Sequence, residues 1–543
     1  MELSVNLAAT AWTLIPIALT IICVFLTKRI LLSMFVGIFS AAFMASNFHF
    51  FDSVILIERT MTGIIFTPGS ATALFSVFSR WYMSIIIFLL GLGLVTSFVV
   101  LTGGAQAFVN AISKRVKTRK GVQYVGVLVG IILMIDDYFN AMVNGNITKT
   151  LCDKHQLSRA RSSYIVDSIA APICIVAPVS SWAVAIMGNM GTTFENIGVE
   201  RNVFADFIRM VPYAFYVFAA IALVLITTKF DFNMFSMKTF QEHFEKTGED
   251  LSADKNAESL LGEPQSTKGT VWDFWIPLIC LTVATIATMI ITGWQGAIRN
   301  DAFGGDTGFI YAILGNWSLS MSLLMGGLAA IVSSMYMGAR HVKSGEVTKQ
   351  QYWRAVIAGL RSMATPIAIL VLSWTIGTLI GHLEVGQWVA DVLYAAGFYS
   401  GFIPLLMFIA AALLAFAIGT SWGTFAIVLP IAGTVVHTTG NMHLLLPAMA
   451  AVLSGAVWGD HSSPISDTTV LASAGTQCNV VDHFRSQLPY AILAALMAAL
   501  GFFLFGLTGT VWVGYIGLAV AIVLISIFAR SRQRKPAKPT PEA

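Results

Sequence analysis

Charge is scarce in this chain of 543 residues: only 11% of it is Asp, Glu, Lys or Arg, less than half of the roughly 25% that soluble domains carry. Hydrophobic residues make up 56% and the mean hydropathy is +0.77. One aqueous core cannot bury that much apolar surface, because a chain this long would split into domains with charged exteriors. A soluble globular protein is excluded, and lipid is the solvent that remains. Cysteine is also scarce. Cys23, Cys152, Cys174, Cys280 and Cys478 stand far apart, with no CxxC and no Cys/His pair at metal-ligand spacing. They read as free thiols in helices, and no structural metal is expected. Met1 to Thr10 has no basic cluster ahead of the first apolar run, which argues for a retained helix over a cleaved signal peptide. The net charge of +4 comes from short cationic clusters between apolar runs. Without a continuous basic stripe, nucleic acid is not an expected partner.

What the chain does have is a series of apolar stretches near the 20 residues a helix needs to cross a hydrocarbon core. They fall at 10–27, 30–48, 82–101, 207–228, 274–293, 317–338, 363–381, 488–507 and 511–529. Three further regions, 121–150, 162–190 and 402–475, are apolar but interrupted by polar residues, Gly and Pro. Lys and Arg cluster at Lys28-Arg29, at 114–120, at 149–161, at 340–361 and in the tail 530–538, which marks those segments as cytoplasmic. Region 121–150 has basic segments on both sides, so it is expected to return to its starting face as a re-entrant hairpin. Region 162–190 then starts inside at Arg161 and crosses once, broken near Ala171-Pro172. In the second half, 402–437 is expected to dip from the exterior as a hairpin, and 444–475 to cross inward, broken at 459–467.

The fold class that follows is an all-α polytopic membrane protein with inverted structural repeats, re-entrant hairpins and broken transmembrane helices. Its expected organisation is a two-helix pair (1–70), repeat 1 (71–228), a solvated cytoplasmic linker (229–272), a second two-helix pair with a cytoplasmic loop (273–361), inverted repeat 2 (362–508), and a terminal helix with a basic cytoplasmic tail (509–543).

Carboxylates and irregular backbone at lipid depth persist only inside protein or beside a water-filled cavity, so their positions carry the functional signal. The first half offers Asp136-Asp137-Tyr138-Phe139-Asn140 with Asn144, then Asp167-Ser168 before Pro172, then Ser181. The second offers Gly419-Thr420-Ser421-Trp422-Gly423, and Gly459-Asp460-His461-Ser462-Ser463-Pro464 followed by Ser466-Asp467-Thr468. Asp137, Asp167, Asp460 and Asp467 are the expected ion-binding and proton-carrying groups. Asn140, Asn144, Ser168, Ser181, Thr420, Ser421, His461, Ser462, Ser463, Ser466 and Thr468 are the supporting ligands. Pro172, Gly419, Gly423, Gly459 and Pro464 are the expected helix breaks. Asp136 reads as an interfacial or helix-capping residue. A hard cation is held by carboxylate, hydroxyl, amide and freed carbonyl oxygens, and all four kinds are present. A carboxylate that binds such a cation also binds a proton, so the two ions compete.

At these residues the chain resembles the NhaC-type sodium/proton antiporter family within the ion-transporter superfamily. Trp458 to Thr469 looks like the family's most recognisable signature, and Asp136-Asp137-Tyr138, Tyr164 to Ser168 and Ala171-Pro172 look like its first-half motifs. The resemblance implies secondary transport, with a scaffold and a mobile, elevator-like transport domain. Exchange of Na+ for H+ is the first reading. Coupled transport or exchange of small carboxylates or amino acids is the second; it calls for half-helix N-termini or a deep Arg or Lys to hold an organic anion, and the basic residues map mostly to loops. The rival pattern G-x-S-x-G at Gly419 to Gly423 marks a hydrolase nucleophile only between a strand and a helix, and no enzyme is expected. No cofactor is expected beyond Na+ and H+ as cargo. The expected location is a bacterial-type inner membrane with the C-terminus in the cytoplasm, the lipid bilayer and a second copy of the chain being the expected partners.

Overall fold

Backbone polar groups in lipid must be paired within the segment that carries them, and the chain meets this demand with helices. The computed structural model describes residues 7–27, 29–65, 81–113, 116–254, 266, 268–299, 316–464 and 466–532, and no β-strand occurs among them. Ten helices within these residues are long and apolar enough to cross a membrane.

Two sets of six helices build the centre. The first comprises α1 (Trp81–Leu101), α2 (Arg119–Ile132), α3 (Asp137–Lys154), α4 (Arg159–Cys174), α5 (Ser181–Asn196) and α6 (Phe215–Phe230). The second comprises α7 (Ala364–His382), α8 (Ile403–Ile418), α9 (Ser421–Thr438), α10 (Leu445–His461), α11 (Asp467–Thr476) and α12 (Val480–Thr508). Helices α2 to α5 have 14–18 residues each and are not among those ten. Asn140 and Asn144 on α3 donate their Nδ2 groups to Gly130 O (2.7 Å) and Gly126 O (2.9 Å) on α2, which ties the two arms into a hairpin. The second arm of each hairpin packs on the other set: α3 on α11, and α9 on α5. Gly145 and Gly475 make the first contact possible, since a Cβ on Gly145 would lie 2.7 Å from the Gly475 carbonyl carbon.

The short helices restart where a side chain accepts an orphan N–H. Asp136 caps Phe139 N, Ser158 caps Arg161 N, Ser180 caps Ala183 N and Ser466 caps Thr469 N. Gly419 ends α8 in the left-handed conformation (φ 76) that glycine adopts without penalty.

Several expectations need correction. Pro172 does not break its helix: α4 continues to Cys174 and the interruption is 175–180. Proline in the last turn removes one late hydrogen bond only, and the helix tolerates it. Gly459 lies inside α10, where a Cβ would stand 2.3 Å from Ala412 O, so its role is close packing on α8. Gly423 is inside the first turn of α9. Pro464 does lie in the interruption between α10 and α11, and Ile465 beside it is outside the described residues. Stretch 207–228 is divided, because a 3-10 turn at Val211–Tyr213 containing Pro212 precedes α6. The N-terminal segment holds a third helix, Phe50–Ile65, beyond the expected pair.

The linker differs most. Helix Phe235–Thr247 buries Met237, Gln241 and Phe244. Gln241, Asp250 and Ser252 accept the N–H groups of Ser158 (3.0 Å), Arg159 (2.6 Å) and Ala160 (3.0 Å) at the start of α4. Ser252 O also accepts Asn479 N (2.8 Å) at the start of α12. Unpaired donors at two helix starts attract these polar side chains, so the segment is docked. Lys28, Lys114, Arg115, the boundary at 70, linker residues 255–265 and tail residues 533–543 lie outside the described residues.

Candidate functional site

The four interruptions bring four helix starts together: Asp137 of α3, Ser181 of α5, Ser421 of α9 and Asp467 of α11. A closed set of contacts joins them. Ser181 donates its N–H to Ile135 O (2.8 Å) and its hydroxyl to Asp136 Oδ2 (2.9 Å). Trp182 meets Trp422 edge-on with centroids 5.6 Å apart. Ser421 donates its N–H (2.9 Å) and hydroxyl (2.7 Å) to Asp460 Oδ2, while the Ser466 hydroxyl donates to Asp460 Oδ1 (2.5 Å). The Tyr138 hydroxyl closes the ring on Asp467 Oδ2.

Each helix start carries roughly half a positive charge and each helix end roughly half a negative one. The four starts are matched by four ends at Ile132, Cys174, Ile418 and His461, so these fields largely offset one another. The net charge of the site is therefore set by its carboxylates. Asp136, Asp137 and Asp460 are buried, and Asp467 is half-buried. Their hydrogen bonding is unequal. Asp136 caps α3 and accepts from Ser181, and both oxygens of Asp460 are taken. Asp137 Oδ2 is buried without a hydrogen bond of ordinary geometry, and the Trp182 side chain, whose Nε1 is otherwise unpaired, is the donor that interacts with this carboxylate. Asn140 Oδ1 and Asn144 Oδ1 are buried and unpartnered, and their orientation is set because each Nδ2 donates to a carbonyl of α2. Positions 137, 140 and 144 share one helix face. This face of α3 thus presents a row of three open acceptor oxygens.

A second cluster surrounds Asp167 on α4. Its Oδ2 accepts from Gln487 Nε2 (2.8 Å) and Thr469 Oγ1 (3.3 Å) and lies 3.1 Å from His483 Nε2. His461 lies with Nε2 3.1 Å from Ser168 Oγ and Nδ1 2.6 Å from Tyr216 OH, and its carbonyl accepts Gln487 Nε2 (2.5 Å). Thr469 connects the clusters, since its N–H donates to Ser466 Oγ (3.2 Å), which holds Asp460.

Of the expected ligands, Ser181, Ser421 and Ser466 meet carboxylates, Thr468 Oγ1 lies 2.9 Å from Ser466 Oγ, and Ser168 meets His461. Ser462 Oγ is buried without a partner, Ser463 is buried, and Thr420 precedes α9 without a side-chain cap bond. Sequence reasoning did not single out His483, Gln487, Tyr216 and Tyr138 as ligands. For the first two a signal exists: His483, Ser486 and Gln487 are polar at helical spacing just ahead of an apolar run. Arg161, assigned to the edge of a cytoplasmic loop, is only 1% exposed. The Gly419 to Gly423 pattern lies between two helices, and Ser421 Oγ bonds Asp460 and Ala456 O while His461 turns to Ser168 and Tyr216, which is no nucleophile elbow.

Residues 173–507 match the Na+/H+ antiporter family. This chain belongs to that family. An uncharacterized protein of Haemophilus influenzae is 32% identical over 98% of both chains. The Bacillus subtilis malate-2H+/Na+-lactate antiporter is 34% identical over 27% of this chain and 32% of its own length. Among solved structures, the Alcanivorax borkumensis YdaH transporter superposes with a TM-score of 0.54 at 13% identity, covering 87% of this antiporter-family chain and 90% of its own. That likeness concerns the fold. The chain is a secondary transporter of this family with about ten candidate membrane spans among the described residues.

Proposed function

We propose that the chain exchanges Na+ for H+ at a shared carboxylate, with Asp137 as the group that both ions occupy. The observation that carries this reading is the row of open acceptors, Asp137 Oδ2, Asn140 Oδ1 and Asn144 Oδ1, buried on one face of α3. Three buried acceptors without hydrogen bonds of ordinary geometry are costly unless a cation or proton joins them. A hard cation takes about six oxygens, and carbonyls freed at the interruptions complete such a set. Asp460 and Asp467 contribute negative charge, and their bonds to Ser421, Ser466 and Tyr138 hold the hairpin tips to α11. Asp167, coupled through Thr469, gives a second titrating group.

Family membership supports this choice of ions, and the Bacillus subtilis relative's name couples Na+ and H+. The two sets of six helices act as inverted repeats. Support comes from their common element order and from a paired detail in the flanking helices: Thr20 against Gly37 and Thr285 against Gly326 each put a hydroxyl 2.0 Å from where a glycine Cβ would stand. Movement of the hairpins and broken helices as one body against the flanking pairs gives alternating access in this reading. Cationic segments and the C-terminus lie in the cytoplasm of an inner membrane. The test is Na+-driven proton flux in proteoliposomes holding the full chain, repeated with organic acids. Flux with Na+ alone supports the reading, and its absence overturns it.

A further inference from the structure

Arg161 lies in the first turn of α4, is 1% exposed, and has two terminal nitrogens, Nη1 and Nη2, that are buried without a hydrogen-bond partner. Its Nε donates to Gln123 Oε1 (3.0 Å) on α2. That bond fixes the orientation of the amide, and Gln123 Nε2 is left buried and unpartnered as well. Three donor nitrogens that meet no acceptor among the described residues therefore adjoin each other inside the protein. The setting adds to the cost, because a cation at a helix start opposes the macrodipole and a buried charge without a partner is strongly destabilising. Asp250 stands at this helix start, but its oxygens are engaged by Arg159 N–H and by Ser252. The Arg161 guanidinium lies 5.4 Å from the Tyr164 ring centre, and the Tyr164 ring packs against that of Tyr490 at a tilt of 35° with centroids 4.6 Å apart. Ring contact offsets part of the charge but accepts none of the N–H groups.

We infer that Arg161 and Gln123 form an anion site that takes the carboxylate of a small organic acid. A guanidinium presents two parallel N–H groups that match a carboxylate's two oxygens, and the Gln123 amide supplies the third donor. The site extends toward the candidate cation site. Arg161, Tyr164 and Ser168 share one face of α4, and Ser168 meets His461, the neighbour of Asp460. Seven residues at 1.5 Å each set Arg161 and Ser168 about 10 Å apart along the helix, which suits a short acid. The inference rests on the reading of the chain as a secondary transporter and makes a carboxylate part of its cargo alongside the cation.

The test is binding by the purified full-length protein, with acetate, L-lactate and L-malate as probes, chloride as the non-carboxylate anion, and radiolabelled Na+ measured on the same preparation. At least one carboxylate is expected to bind the wild type, with affinity at least about tenfold weaker in Arg161→Met and partly retained in Arg161→Lys. Equal binding by Arg161→Met, or binding of chloride alone, overturns the site. Na+ binding without any carboxylate binding also overturns it and leaves cation exchange standing. Carboxylate binding without Na+ binding supports the site while removing the cation reading. If Arg161→Met does not fold, Gln123→Leu removes one donor and is expected to weaken binding several-fold, and unchanged affinity there refutes the assignment.

Discussion

If Asp137 is the carboxylate that Na+ and H+ share, its neutralisation must change two quantities at once. Na+ binds the ionised group and displaces its proton, so well below the controlling pKa the apparent Na+ dissociation constant rises about tenfold for each pH unit of acidification. Above that pKa it levels off, because no proton remains to compete. Asp137→Asn keeps the shape and an acceptor oxygen but removes the charge. Asp136 is a helix cap with its own bonds to Phe139 N and Ser181 Oγ, and both oxygens of Asp460 are held, so neither is free to replace it. Loss of one partner from a buried ion pair costs about 3–5 kcal/mol, or roughly two to four powers of ten in Na+ affinity. The pH slope should vanish together with the affinity. Isothermal titration of Na+ at several pH values, on wild type and Asp137→Asn, reads both. A variant that keeps the tenfold slope would show that another carboxylate carries the exchange, and near-wild-type affinity would refute the cost assigned to the open oxygen.

Other outcomes follow from the same contacts. Ser421→Ala removes one of the two donors at Asp460 Oδ2 and leaves the backbone N–H, a loss of about 1.5–3 kcal/mol. Flux in proteoliposomes should fall yet stay measurable, whereas Asp460→Asn should abolish it, and the opposite order would contradict the role given to Asp460. Cysteines at exposed Lys117 and Lys154 should both react with an impermeant maleimide from the cytoplasmic side. Labelling from opposite sides would remove the hairpin. Native Cys478 should contribute little background, because burial holds its thiol above the ordinary range and leaves little thiolate. Gly475→Ala would set a Cβ 2.6 Å from Ala141 O, so thermal unfolding in detergent should reveal about 1–3 kcal/mol of lost stability. An unchanged melting temperature would mean that α3 and α11 separate without cost.

The sequence by itself determined that lipid surrounds the chain, where most spans lie and which family it joins, and it named four aspartates as candidates. These are sums over local windows: hydropathy, charge clusters and a twelve-residue signature need no knowledge of the fold. Helix breaks were legible only in part. Gly419 and Pro464 stand at interruptions, but Pro172 and Gly459 lie inside helices, since a residue type sets what a backbone can do and its neighbours decide whether it does so. Tertiary structure alone decided which oxygens and nitrogens are left open. Tyr138 and Asp467 are 329 positions apart, and His483 lies 316 positions from Asp167, distances over which no local pattern carries information. The same holds for Asp137 and Asp460, equal in sequence as carboxylates near breaks, of which only Asp137 keeps an oxygen without a hydrogen bond of ordinary geometry. It holds for Arg161 too, which the charge pattern assigned to a loop edge and packing buried. Hydrogen-bond saturation depends on every element packed around a group, so the chemistry of each buried residue was settled by its contacts.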